Sequence, residues 1–215
     1  MTEFSAADIR TRAQNELSKD FSAVGEMARP DSERSDFDVD EKNKPADFMS
    51  AKFRQAAVLV PIVERSTATT VLLTQRSHEL PIHAGQISFP GGKIEVYDQT
   101  PLHTAYRETE EEIGLDRQHI EFLGVLDKYR TGTGFLITPV VGIVKPEFDL
   151  QLDHNEVAEV FEVPLSFLMS ADNHELHQRE IMGRHRTFYA MPYEDKYIWG
   201  ATAGILRNLF ERLYV

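Results

Sequence analysis

The sequence contains no cysteine and comparatively little positive charge. Without cysteine there are no disulfide bonds, thiolate metal sites or cysteine nucleophiles, which fits a reducing compartment. Aspartate and glutamate number 35 against 23 lysines and arginines, for a net charge of −12. Surfaces that coat nucleic acid neutralise its phosphates with lysine and arginine, so this balance argues against such a function. A small anionic ligand would need a local basic group or a metal ion.

Long apolar runs are also absent. No stretch reaches the roughly 18 apolar residues that cross a membrane, and residues 1–21 form a polar amphipathic pattern without the apolar region of a signal peptide. The 215 residues, 41% hydrophobic and 27% charged, are typical of a soluble globular chain with one main domain. We therefore predict a cytoplasmic protein without membrane or nucleic-acid partners. The sequence leaves the oligomeric state open, with a homodimer as one option.

The N-terminal part differs in composition from the rest of the chain. Residues 1–25 show a helical pattern, whereas more than half of residues 29–47 are charged and almost none is suited to burial. We expect the charged stretch to be a loop or an extended arm. The sequence thus predicts an N-terminal helix and charged arm over residues 1–50 and the main domain over residues 51–215.

Apolar and β-branched residues dominate from Gln55 onward. Residues 56–63 and 69–75 are predicted to form an antiparallel pair of strands joined by a polar turn. Further strands are predicted at 119–129, 135–144 and 157–165, the last leading into a short helix, followed by a late strand at 188–193 and an amphipathic helix at 202–214. Strands flanked by a few helices, without regular alternation, indicate an α+β fold or a mixed-sheet sandwich.

The most informative segment is residues 91–115, where a glycine turn leads into a helix rich in glutamate. Thr100 is predicted to cap the start of this helix, with Pro101 at its first position. Gly114 is predicted to end it. The segment therefore places its acidic residues on a helix whose two ends are both marked in the sequence.

Three glutamates of this helix share one side. At about 100° per residue, Glu108, Glu111 and Glu112 lie within an arc of roughly 100°. A solvated helix face would interleave its acidic residues with lysine or arginine, and here only Arg107 is nearby. Grouped carboxylates suit Mg²⁺ or Mn²⁺, which prefer oxygen ligands and often bind substrate phosphates as well. The pattern favours a divalent-metal site for chemistry at phosphorus, with a solvated charged face as the alternative.

The segments FPGG at 89–92 and RETEEEIGL at 107–115 together resemble the Nudix box, the signature of hydrolases that cleave a nucleoside diphosphate linked to another moiety. The matching positions are Gly92, Arg107, Glu108, Glu111, Glu112, Gly114 and Leu115. Eight residues separate Asp98 from Arg107 where the usual box has seven, and Thr109 stands where an aliphatic residue is common. The resemblance implies an α/β/α sandwich around a mixed β-sheet and a pyrophosphatase that depends on Mg²⁺ or Mn²⁺.

Residues 72–92, LLTQRSHELPIHAGQISFPGG, are similar to the motif that marks coenzyme A pyrophosphatases within the Nudix family. The positions that agree are Leu72, Leu73, Thr74, Arg76, Ser77, Gly85, Phe89, Pro90, Gly91 and Gly92. Pro81 stands where the motif normally carries arginine, and loss of that arginine would weaken affinity or change substrate preference. The similarity implies hydrolysis of coenzyme A, or its acyl derivatives, to 4′-phosphopantetheine and adenosine 3′,5′-bisphosphate. Two alternatives stay open: another nucleoside diphosphate derivative such as ADP-ribose or NADH, and a Nudix-like module that senses a nucleotide without cleaving it.

The resemblance also implies roles for individual acidic and basic residues. Glu108, Glu111 and Glu112 are expected to bind metal, with orientation of the attacking water as the alternative role of Glu111. Arg107 is expected to bond to a helix glutamate and orient it, with direct phosphate contact as the alternative. Glu156, at the end of a polar loop, is the candidate general base.

Four further positions are expected to contact the substrate. They are Arg76 and Lys93, through their charge, and Gly91 and Gly92, through close approach of the backbone. Glu159 is a second candidate for the catalytic acid or base, unless it is simply the outward residue of its strand. Trp199 and Phe135 either offer a stacking surface for adenine or the pantetheine arm, or belong to the core.

Overall fold

The structure is a computed structural model that describes residues 3–19, 33–181 and 183–215. Its α-helices are α1 (Ala6–Glu16), α2 (Pro101–Ile113), α3 (Leu165–Leu168) and α4 (Ala201–Tyr214). The first six strands are β1 (Glu33–Ser35), β2 (Arg54–Val63), β3 (Thr70–Arg76), β4 (Ile87–Ser88), β5 (Gly91–Lys93) and β6 (Ile120–Val125). The remaining strands are β7 (Lys128–Arg130), β8 (Phe135–Val144), β9 (Val157–Pro164), β10 (Glu175–Ile181), β11 (Arg184–Tyr193) and β12 (Lys196–Trp199).

The strands form two sheets. The larger sheet has nine strands, in the order β1-β7-β8-β2-β3-β4, with β5 paired to β2, β6 to β8 and β9 to β3. It is mixed, because β2 runs parallel to β8 and antiparallel to β3. The predicted antiparallel pair at 56–63 and 69–75 is therefore confirmed as β2 and β3. The smaller sheet consists of β10, β11 and β12, paired antiparallel.

Helices cover both faces of the larger sheet. Successive residues of a strand point to opposite faces, and along β2 the residues Ala57 and Leu59 pack with Ala105 of α2. Val60 and Ile62, on the other face, belong to the core that also receives α1 and α4. The α+β prediction and the α/β/α sandwich around a mixed sheet are thus confirmed. No helix among the described residues is long and apolar enough to span a lipid bilayer.

Three elements differ from the prediction. In the described residues the N-terminal helix runs only over α1, because Leu17 already has an extended backbone; residues 1–2 and 20–32, which the predicted helix and arm include, lie outside them. The strand predicted at 119–129 is divided into β6 and β7, with a register shift within β6. Strand β10 was not predicted, because its sequence ELHQREI lacks the regular apolar alternation that indicates a strand.

The described part of the acidic arm packs against the domain. Its strand β1 pairs in parallel with β7 and so forms one edge of the larger sheet. Phe37 and Phe48 are buried, and their rings contact each other edge to face. Among the described residues of 29–47, Phe37 is the one apolar side chain that is buried, in keeping with a stretch that has little to bury. Together with Phe48, which lies just beyond the stretch, Phe37 anchors a segment that is otherwise charged.

Candidate active site

Helix α2 begins and ends where the sequence predicts. The Thr100 hydroxyl accepts a hydrogen bond from the backbone N–H of His103 at 3.2 Å, and Pro101 occupies the first turn. Gly114 ends the helix in the left-handed conformation, with φ 71°. Ala105 and Ile113 are fully buried against the sheet. The glutamates lie along one border of this buried side of the helix.

Glycine is required at both positions of the turn that faces this helix. Gly91 has φ 151°, and a Cβ there would lie 2.5 Å from backbone atoms of Ala57 and Val58 in β2. The Gly91 N–H donates to Oε2 of Glu112 at 3.2 Å. A Cβ on Gly92 would overlap the carboxylate of Glu108. The two glycines therefore allow Glu112 and Glu108, two of the three predicted metal ligands, to pack against the turn. The sequence alone does not predict this contact.

Arg107 connects two helix glutamates through a single nitrogen. Its Nη1 donates to Glu108 Oε1 at 2.8 Å and to Glu111 Oε2 at 2.9 Å. The bond to a helix glutamate that the family resemblance implies is therefore present. The side chain of Glu111 remains 60% exposed, whereas that of Glu108 is only 17% exposed.

Asp98 holds Arg107 from the opposite side. Its carboxylate accepts Nε and Nη2 of Arg107 at 3.1 and 2.8 Å, and it also accepts the Thr104 hydroxyl at 2.9 Å. The Asp98 side chain has no solvent exposure, and the hydrogen bonds from Arg107 are the main reason that its pKa lies well below its ordinary value. A bidentate pair of this kind fixes the plane of the guanidinium and therefore the direction of Nη1.

The carboxylates of this site carry more negative charge than their basic neighbours compensate. Burial raises the pKa of Glu112 from 4.5 to about 8, against the opposing effects of the Gly91 N–H and the charge of Arg76. Burial likewise raises the pKa of Glu108, although Arg107 opposes it. The charge of Glu156 raises both pKa values further. Buried carboxylates destabilise one another when no cation is close.

The donor set fits a hard divalent cation. Glu108, Glu111 and Glu112 offer only carboxylate oxygens, which suit Mg²⁺ and Mn²⁺. In the described part of the chain no three histidine, aspartate or glutamate side chains are already arranged as a metal-binding group. Glu112 is buried, Glu108 is half-buried, and Glu111 lies at the exposed rim where Arg107 holds it. These three are the residues that could hold the metal.

The other predicted site residues are divided between two surroundings. Glu156 lies close enough to Glu108 and Glu112 to affect both, and its carbonyl accepts the Ser77 N–H at 2.8 Å. Glu159 instead forms an ion pair with Lys196 at 2.6 Å. The Lys93 side chain is exposed, and its backbone carbonyl accepts Nη2 of Arg107. Arg76 lies near Glu112, and its Nε is buried without a hydrogen-bond partner in the described structure.

A cavity of about 660 Å³ opens beside the glycine turn. At this end Arg76 and Gly91 line it, together with residues 81–83 and 86–89 of the segment before the turn. Its wall is mainly apolar and includes Phe135 and Trp199, two residues for which the sequence left a core or a stacking role open. Volume and character are those of a small-molecule site.

The opposite end of the cavity contains residues that sequence reasoning missed. Asp36 comes from the arm, Arg186 from β11, and Gly132 from the turn between β7 and β8. The sequence identifies Asp98 only by its spacing from Gly92 and Arg107 and does not indicate that it holds Arg107. No local pattern marks Asp36 or Arg186, because they meet only in the folded chain.

Comparison with known proteins reveals similarity over most of the chain. A family model for the NUDIX domain matches residues 53–185. An uncharacterized Nudix hydrolase NudL from Citrobacter koseri is 43% identical over 159 residues, which cover 73% of this chain and 81% of that protein. The protein of the same name from Photorhabdus laumondii is 38% identical over 171 residues, or 80% and 91% of the two chains. Among solved structures, a C. elegans Ap4A hydrolase binary complex aligns with a TM-score of 0.44 and 21% identity, over 53% of this chain and 81% of that one.

Proposed function

Because the chain belongs to the Nudix family of pyrophosphohydrolases, we propose that it hydrolyses the pyrophosphate bond of coenzyme A or its acyl derivatives. The products would be 4′-phosphopantetheine and adenosine 3′,5′-bisphosphate. One observation carries the proposal: the segment that resembles the coenzyme A motif lines a cavity that meets the carboxylate helix at Gly91. The cytoplasm is the proposed site of action, on the grounds of the cysteine-free composition.

Size and polarity of the cavity support a substrate of this kind. Coenzyme A combines a nucleotide with a long and mostly neutral arm, so it needs a cationic region for the diphosphate and an extended apolar wall. Arg76 supplies positive charge beside the glycine turn, and Ile87, Phe89 and Trp199 contribute to the wall. The cavity volume of about 660 Å³ lies within the range of small-molecule binding sites.

Nudix hydrolases generally use divalent metal ions, and we propose Mg²⁺ or Mn²⁺ held by Glu108, Glu111 and Glu112. The bound ion would neutralise phosphate charge and lower the pKa of a coordinated water. Arg107 keeps Glu108 and Glu111 in place, and Asp98 keeps Arg107 in place. The protein therefore presents its carboxylates in a fixed arrangement, without reorganisation at the moment of reaction.

Glu156 is the proposed general base. It lies near the buried glutamates and is exposed to solvent, so a water can reach it. In the reaction, a water oxygen would bond to one phosphorus while the bond from that phosphorus to the bridging oxygen breaks. The water proton would pass to Glu156, and the bridging oxygen would leave on the other phosphate. Arg76 and Lys93 are proposed to hold the phosphate oxygens, and Gly91 and Gly92 to allow their close approach to the backbone.

Pro81 favours a second candidate, hydrolysis of ADP-ribose or NADH. Pro81 lines the cavity, so an arginine at this position would place its charge in or beside it. Without that charge, an anionic group outside the diphosphate would be held less tightly. ADP-ribose and NADH lack the 3′-phosphate of coenzyme A, so their binding should be weakened less by proline in place of arginine at position 81.

Product release over a panel of coenzyme A, ADP-ribose and NADH, with Mg²⁺ or Mn²⁺, tests both candidates. We expect coenzyme A to give the highest kcat/KM, and Glu112→Gln to lower it by roughly 10³-fold, because several kcal/mol of metal-based stabilisation would be lost. Glu159→Gln is the matched control and should retain activity, since Glu159 pairs with Lys196.

The relative kcat/KM values of the three substrates distinguish the possible functions. A higher kcat/KM for ADP-ribose or NADH would reject the coenzyme A assignment but retain the pyrophosphatase. No turnover of any member, with wild type equal to Glu112→Gln, would reject the hydrolytic function and leave a nucleotide-binding module.

A further inference from the structure

The end of the cavity opposite the glycine turn is built around Gly132. A Cβ on Gly132 would lie 3.4 Å from Oδ2 of Asp36 and 3.6 and 3.7 Å from Nη1 and Nη2 of Arg186. Both side chains also line the cavity. An acceptor group and a donor group thus flank one glycine, with no side chain between them.

Arg186 is held rigidly, and its terminal nitrogens remain available. Its Nε donates to Oδ2 of the buried Asp40 at 2.6 Å, and its guanidinium lies over the Phe37 ring at 4.2 Å. Among the described residues, Nη1 and Nη2 have no hydrogen-bond partner. A guanidinium fixed at one nitrogen and on one face can offer its remaining donors in a defined direction.

Asp36 is fixed in the same manner. Its Oδ2 accepts the Gly132 N–H at 2.6 Å, and its backbone N–H donates to the Arg130 carbonyl at 3.1 Å. A carboxylate has about four lone-pair positions, so Asp36 can accept a further hydrogen bond from a ligand in the cavity. The acidic arm therefore contributes a wall of the cavity through Asp36 and positions Arg186 through Phe37 and Asp40.

The charge at this end argues against a phosphate group. Arg186 lies beside two carboxylates, Asp36 and Asp40, so no positive charge is left over at this end. An additional anion would meet no excess of positive charge here. A neutral group that donates to Asp36 and accepts from Arg186 matches both partners.

The distance from the glycine turn suits the base of a nucleotide. Phe135, at the start of β8, pairs with Arg54, and Val58 pairs with Gly91 four residues further along β2. At about 3.3 Å per residue, Phe135, three residues after Gly132, is offset from Gly91 by about 13 Å along the strand direction. This is comparable with the span from a nucleotide base across its ribose to a 5′-diphosphate, and the apolar wall with Phe135 and Trp199 lies beside that path.

We propose that Asp36 and Arg186 form the subsite that recognises the base of the substrate, and that this base is an aminopurine of the adenine type. The inference rests on the proposed hydrolysis of a nucleoside diphosphate derivative. The exocyclic amino group of adenine donates to Asp36, and a neighbouring ring nitrogen accepts from Arg186. Hypoxanthine carries an oxygen in place of that amino group, so it would direct an acceptor at a carboxylate.

The test compares substrates that differ only at this position of the base. Wild type should cleave NADH, ADP-ribose or coenzyme A with at least about tenfold higher kcat/KM than the hypoxanthine analogue of the same compound, mainly through KM, because a buried acceptor without a donor is costly. Arg186→Gln should raise KM and reduce the ratio while kcat is retained. Asp36→Asn should reduce or reverse the ratio, since its amide can donate to the hypoxanthine oxygen.

Two control variants accompany these substitutions. Asp47→Asn removes an exposed carboxylate of the arm, and Arg117→Gln removes an exposed arginine beyond α2. Neither residue lines the cavity, so both should keep the wild-type base ratio. A wild-type ratio near one, or a ratio that persists unchanged in both Arg186→Gln and Asp36→Asn, would overturn the proposal.

Ligand binding without turnover separates this inference from the proposed function. AMP should raise the melting temperature of wild type more than IMP at equal concentration, and the difference should vanish in Arg186→Gln. The same melting curves show whether each variant is folded. If neither coenzyme A, ADP-ribose nor NADH is cleaved but AMP is still preferred, the hydrolytic function fails and the base subsite stands. Equal shifts with AMP and IMP would reject the subsite even in an active enzyme.

Discussion

The two ends of the cavity differ in the ionic groups that they present. At the glycine turn, Glu108, Glu112 and Glu156 lie near one another, and Arg107 pairs with Glu108 while its charge is already shared with Asp98. At the other end, Arg186 lies beside Asp36 and Asp40, and its two terminal nitrogens and the Asp36 carboxylate are left as donor and acceptor. Grouped carboxylates are tolerable where a cation binds, whereas a donor beside an acceptor suits a neutral ligand. One cavity can therefore position a charged reacting group and a neutral base at separate ends.

The ends also differ in their origin along the chain. The carboxylate end comes largely from residues 91–113, one continuous segment. The other end combines the arm, the turn at 131–133 and strand β11, which are far apart in sequence. Substitutions at the two ends should accordingly differ in kind, with effects on kcat and metal binding at the first and on KM and base preference at the second.

The largest expected difference concerns the ionisation of the buried Glu112. In protein freed of metal with EDTA, the folded state keeps the proton of Glu112 up to about pH 8, whereas the unfolded state loses it near 4.5. As the pH rises through this window, wild type should therefore lose several kcal/mol of stability relative to Glu112→Gln, at about 1.4 kcal/mol per pH unit. Denaturant unfolding at a series of pH values measures the difference.

The control for this experiment is Glu159→Gln. Glu159 forms an exposed pair with Lys196, which contributes less than about 1 kcal/mol, so its curve should parallel that of wild type. Added Mg²⁺ or Mn²⁺ should stabilise wild type more than Glu112→Gln. A constant stability difference between pH 4.5 and 8 would show that Glu112 is not held in a desolvated position.

The next largest effect is expected for Gly92→Ala. The added methyl group would overlap the Glu108 carboxylate and displace it, and a misplacement of this kind lowers kcat/KM by roughly 100-fold. Steady-state kinetics together with the far-ultraviolet CD spectrum would measure activity and folding. Near-normal activity in a folded variant would mean that the position of Glu108 is not critical.

Asp98→Asn should have a smaller effect on the same end. Arg107 would lose its ionic partner and hold Glu108 and Glu111 less firmly, so kcat should fall by roughly 10- to 100-fold with little change in KM. The KM-against-kcat split identifies a positioning role. An equal rise of KM would instead indicate that Arg107 contacts the substrate.

The smallest effect is expected for Gly132→Ala. Its methyl group would touch Asp36 and Arg186 only at ordinary contact distances of 3.4 to 3.7 Å. We expect KM to rise by less than about tenfold while kcat stays normal. A loss of kcat comparable with that of Gly92→Ala would remove the functional distinction between the two ends.

Local features of the site were predictable because they depend on short-range geometry. Helical periodicity places Glu108, Glu111 and Glu112 on one side wherever the helix lies. Thr100 and Gly114 mark its ends by backbone chemistry alone. The strands with continuous apolar sequence, such as β2 and β8, were found for the same reason, and the polar β10 was not.

The sequence by itself determined the acidic helix, its glycine turn and the family of the chain, because each depends on residues that are close together in the chain. Tertiary structure alone decided that Asp98 would hold Arg107, that Glu156 would join the glutamates, and that Asp36 would meet Arg186 at Gly132. Such meetings depend on strand register and on two buried aromatic side chains of the arm, which no local pattern of charge reveals. The excess of negative charge was visible in the composition, but the gathering of carboxylates beside a cavity was not.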